Sequence, residues 1–71
     1  MMDAEAALLN ILEQRDSHRT KAWASMGGYK FWMFGYHASG WVKMNQLLPT
    51  KLRRPNPFKC LVHAAREEAR S

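Results

Sequence analysis

A chain of 71 residues with a single cysteine, Cys60, has no internal disulfide available to it. That restricts how it can become stable. A domain of this length buries only about 60% of the surface its unfolded chain exposes, and small natural domains usually add disulfides, a metal or a second subunit. With no disulfide, stability has to come from large apolar side chains and from a partner. The composition agrees, with three Trp, three Phe, two Tyr and five Met. A short three-helix protomer cannot hide them all, which predicts a homodimer or a surface kept for another molecule. The lone thiol also fits a reducing, cytoplasmic setting.

The spacing of apolar residues predicts an all-α fold, a single small helical domain over residues 1–71 with helices at about 3–25, 29–48 and 57–70. Asp3 is placed to cap the first helix, and Ala4, Ala7, Leu8, Ile11 and Leu12 follow at steps of three and four. The polar run from Gln14 to Lys21 leaves two readings open. Either the helix continues into Ala22, Trp23 and Met26, or Asp16 or Ser17 caps a new one.

The middle of the chain is ambiguous as well. Tyr29 to Phe34 lies between Gly28 and Gly35 and is rich in aromatics, so a β-hairpin around residues 29–36 is the alternative to a helix. The helix is favoured because no Asn-Gly or Asp-Gly turn is present. In that reading Gly28, Phe31, Gly35, Ala38, Val42 and Asn45 form a face of mostly small residues. Pro49 ends the element, since proline has no amide proton and restricts Leu48 before it. A basic, proline-containing loop over residues 49–56 follows. Asn56 is a fitting cap and Pro57 a fitting first position for the last helix, in which Phe58, Leu61, Val62, Ala65 and Ala69 keep helical spacing.

The net charge of +5 is unevenly spread. Residues 1–16 hold Asp3, Glu5, Glu13 and Asp16 against Arg15, whereas all other Lys and Arg follow, opposed only by Glu67 and Glu68. A field of that sign favours encounters with polyanions or acidic proteins. The start of the chain carries acids where a secretory signal would carry bases, and Lys30, His37 and the glycines make residues 26–44 a poor membrane span, so neither export nor a membrane role is expected.

Two basic groups stand out. Lys51, Arg53 and Arg54 precede a helix N-terminus, where free amides and the helix dipole favour phosphate, and the arginine fork suits the same group. Arg15, Arg19 and Lys21 form a second group, on successive turns if the first helix continues. Together they predict a nucleic-acid footprint made chiefly of phosphate contacts, typical of a small regulatory protein that binds DNA or RNA. The alternative is a protein–protein antagonist or adaptor that blocks a regulatory partner. In that reading Phe31, Trp32, Met33, Tyr36 and Trp41 form the partner or dimer interface and the charges only steer. Cys60 and His63, with His18 and His37 elsewhere, lack the paired spacing of a zinc site, and no acid orients them as nucleophile and base. No metal, cofactor, small-molecule substrate or enzymatic activity is expected.

Overall fold

The computed structural model describes residues 3–70; Met1, Met2 and Ser71, within the expected domain span, lie outside the described residues. Three α-helices follow one another: α1 (Ala4–Gly27), α2 (Phe31–Gln46) and α3 (Lys59–Arg70), with a short 3-10 turn at Thr50–Leu52. No strand occurs among the described residues, so the hairpin alternative is excluded and the all-α expectation stands.

The ends of these helices follow from local chemistry. Asp3 accepts a hydrogen bond from the Ala6 amide at 2.7 Å, as an N-cap carboxylate does. The first helix then runs unbroken through the polar stretch, which settles the choice left open at residues 14–21. Its C-terminus closes with the Lys30 amide on the Ser25 carbonyl (2.8 Å) and the Tyr29 amide on the Met26 carbonyl (3.1 Å). That pairing needs one residue in the left-handed region, and it is Tyr29 (φ 61°), although two glycines stand immediately before it.

After α2 the chain turns at Pro49. Asn56 accepts from the Phe58 amide at 2.8 Å, so the expected cap is present, with regular α-helix beginning at Lys59, two residues later than expected. Phe58 is the anchor of this region. Its ring lies 5.3 Å from both Trp23 and Phe34 and 6.4 Å from Trp41, and with Ala22 and Trp41 it forms the buried core.

The small-residue face expected on α2 is not where α1 comes closest. At Gly40 an added Cβ would stand 2.6–2.8 Å from the His18 imidazole, whereas at Gly35 it would meet nothing within 4 Å. Close approach of the two helices therefore depends on Gly40. Gly35 faces outward.

The molecule is long and thin, 52 × 25 × 12 Å, with a radius of gyration of 14.2 Å. A compact chain of this length would measure about 11 Å. The cause is α3. From Val62 to Arg70 every residue is exposed, so the helix leaves the α1–α2 pair soon after Phe58.

Candidate functional site

The structure divides the basic residues proposed for phosphate contact into two kinds. Arg15 is not a surface cation: it is only 7% exposed. Its Nη1 donates to Asn45 Oδ1 (2.8 Å) and to the Leu52 carbonyl (2.9 Å), and its guanidinium lies 5.8 Å from the Trp41 ring centroid. Desolvating a guanidinium is tolerable only with such partners, and here it ties the loop to both long helices. Arg53 is exposed yet engaged: Nε donates to the Leu48 carbonyl (2.9 Å) and Nη2 to the Gln46 carbonyl (3.1 Å). It caps the carbonyl end of α2, where a cation also opposes the helix dipole.

Asn45 completes this clamp. Its Oδ1 accepts from the Arg54 amide (3.0 Å) and its Nδ2 donates to the Arg54 carbonyl (3.0 Å), so one side chain pairs with a whole backbone unit of the loop. The Arg54 side chain is left exposed, as are Arg19, Lys21 and Lys51. Arg54 and Arg19, from separate parts of the sequence, line one open groove of about 440 Å³ with Arg15, Asp16 and Trp41. The loop and helix groups are thereby joined, through Arg54 and Arg19.

The aromatic residues divide in the same way. Trp41, expected at an interface, is a core residue at 4% exposure, because it lies on the face of α2 that covers Arg15 and Phe58. Phe31, Trp32, Met33 and Tyr36 remain on the surface, with Trp32 at 82% and Tyr36 at 61%. Their rings are ordered against one another: Trp32 and Tyr36 lie nearly parallel at 6.4 Å, one helical turn apart. Tyr29 extends the patch and meets Phe31 edge-on at 6.1 Å. Beside it an open groove of about 800 Å³ runs between the helices, bordered by Phe31, Trp32, Gly35 and Tyr36 on α2 and by Gln14 and His18 on α1.

A pairing at the edge of this groove, where His18 lines it, was not legible in the sequence. His18 and His37, on different helices, bring their Nδ1 atoms to 3.1 Å, so one ring donates and the other accepts. Burial, then the His37 charge and then that of Lys21, hold the His18 imidazole below its ordinary pKa of 6.5. Among the described residues no group of three His, Cys, Asp or Glu is gathered for a metal ion, and Cys60 lies exposed on α3. Among the described residues no helix is long and apolar enough to cross a membrane.

Comparison with known proteins brings no family model that matches the chain, no similar curated protein and no solved structure that matches its fold.

Proposed function

We propose that this chain is a non-enzymatic binding protein that acts by docking the aromatic face of α2 into an apolar groove on a regulatory protein. The observation that carries this reading is the exposure of Tyr29, Phe31, Trp32 and Tyr36 together, at 61–82%. A contiguous exposed apolar patch with aromatic anchors is the usual mark of a protein interface. The backbone supports it too. Tyr29 occupies the left-handed region at a cost of about 1–2 kcal/mol that a glycine would avoid, and such strain concentrates where a side chain is needed for function. With Lys30 and Lys43 nearby in the sequence and a net charge of +5, the matching partner has an acidic rim around its groove.

A second reading rests on the groove shared by Arg54, Arg19 and Arg15, which suits a phosphate backbone. It is weaker, because Arg15 and Arg53 already serve the fold. The two are separated by affinity purification from the native host with and without nuclease. On the leading reading a protein stays bound after nuclease, Trp32→Ala weakens its capture about 30-fold, or about 2 kcal/mol, and Tyr29→Gly weakens capture while raising thermal stability. On the second, recovery depends on nucleic acid, and Arg19→Ala with Arg54→Ala lowers the salt-dependence slope by about two. Retention of the same protein by Trp32→Ala would sink the leading reading.

A further inference from the structure

The third helix is an amphipathic element that is uncovered beyond its half-buried Leu61. Val62 is 44% exposed, and the residues after it are exposed too. A helix of 12 residues is at the margin of what persists alone in water, so α3 needs a surface to lie on. The whole molecule shows the same shortfall. It exposes 5634 Å², where a compact monomer of its mass would expose about 4,600 Å². The excess, about 1,000 Å², is close to the roughly 800 Å² that each partner buries in a stable complex.

The charges on α3 indicate what covers it. Lys59, His63, Arg66 and Arg70 recur at steps of four, three and four, which places them along one side of the helix beside Val62. The outward side of α1 has the opposite pattern. Glu5, Leu9, Glu13 and Asp16, at steps of four, four and three, are all exposed, and Leu9 is 57% exposed among the carboxylates. Each row runs over twelve residues, about 16 Å of helix from first to last. Among the described residues none of Glu5, Glu13, Asp16, Lys59 and Arg66 is in an ion pair; Arg70 pairs with Glu67 one turn back, at 2.9 Å on the open surface.

We propose that α3 docks on the outward side of α1 of a second copy of this chain, reciprocally, giving a two-fold dimer. Basic row meets acidic row and Val62 meets Leu9, twice over. A two-fold interface requires each copy to carry both halves of the contact, and this chain does. The dimer leaves the aromatic face of α2 open, so it goes beyond the docking function proposed above and does not depend on it.

The test is sedimentation equilibrium of the full chain with two charge-reversed variants, Glu5→Lys/Glu13→Lys and Lys59→Glu/Arg66→Glu. At about 50 mM salt the unaltered chain is expected to be dimeric, and at about 1 M, where charges are screened within 3 Å, it dissociates. Each variant alone is a monomer, since its two rows repel. Mixed in equal amounts they form a heterodimer, because both contacts then pair opposite charges; this recovery excludes misfolding as the cause of dissociation. A monomeric wild type at about 100 µM would overturn the proposal. So would variants that stay dimeric, or a mixture that does not associate. A dimer dissolved by Trp32→Ala and untouched by the charge reversals would place the second copy on the aromatic face instead. A monomer in which Lys59→Glu/Arg66→Glu abolishes binding to duplex DNA would assign α3 to nucleic acid.

Discussion

Trp32 and Trp41 stand nine residues apart on the same helix, two and a half turns, and therefore on opposite sides of it. One is 82% exposed and the other 4%. The inner side of α2 is complete within the chain: Trp41, Phe34, Ala38 and Val42 meet Ala22, Trp23 and Phe58. The outer side has the same kind of residues, Phe31, Trp32, Met33 and Tyr36, and they stay exposed, with Tyr36 meeting the His18 ring of α1 edge-on at 6.1 Å. A helix with large apolar side chains on both sides is usual in an interior, and here only the inner side has one. The difference also shows that ring size says little about placement: of two equal tryptophans, one is buried in the fold and the other is left in solvent.

Truncation to alanine separates the two tryptophans by the widest margin. Trp41→Ala is expected to cost about 3–5 kcal/mol in urea denaturation, against a total of about 4–10 kcal/mol for a chain of this length, and to leave much of the protein unfolded. Trp32→Ala is expected to change stability by less than about 0.5 kcal/mol, since the side chain is 82% exposed. Comparable losses at the two positions would mean that Trp32 is held in the fold.

The two glycines of α2, one against α1 and one facing outward, give a smaller contrast. Gly40→Ala puts a methyl against the His18 ring and should destabilise by about 1–3 kcal/mol by thermal denaturation. Gly35→Ala has open space and should stabilise by about 0.5–1 kcal/mol through the unfolded chain. If Gly40→Ala proves neutral, the helices do not depend on close approach at His18.

The smallest effect is that of pH. The His18 imidazole titrates below its ordinary value of 6.5 in the folded chain, so between those two values the unfolded chain binds more protons. Its contribution to stability is present above about pH 6.5 and is lost as pH falls toward the folded value. Protonating the His18 ring also leaves its Nδ1 a donor only, 3.1 Å from His37 Nδ1, with Lys21 adding charge from α1. The melting temperature should therefore drop between about pH 7.5 and 5.5, and His18→Gln should flatten that drop. An identical drop in the variant would exclude His18 as its source.

The elements that local chemistry decides were readable along the chain. Asp3 caps α1, Pro49 stops the helix before it, and Asn56 and Pro57 open the last turn that leads into α3, because a cap or a missing amide acts on residues three or four positions away. The choice of helix over hairpin for the middle segment was legible too, from the absence of a turn signal and the spacing of its small residues. The site was legible only as a set of residue types. Arg15 and Arg19 look alike in the sequence, one turn apart on a basic stretch, yet α2 covers the first and leaves the second in solvent.

By itself, then, the sequence determined three helices, a basic proline-containing loop and an excess of large apolar side chains over what one protomer can bury. The tertiary structure alone decided which side of each helix is inside. It buried Arg15 and Trp41, spent Arg53 on the end of α2, set His18 against His37 across two helices, and left α3 and Trp32 uncovered. The physical reason is one of range. Capping and backbone restriction act within a turn and are written in neighbouring residues, whereas burial depends on how two helices rotate against each other, which here Gly40 and Phe58 set through contacts remote in sequence.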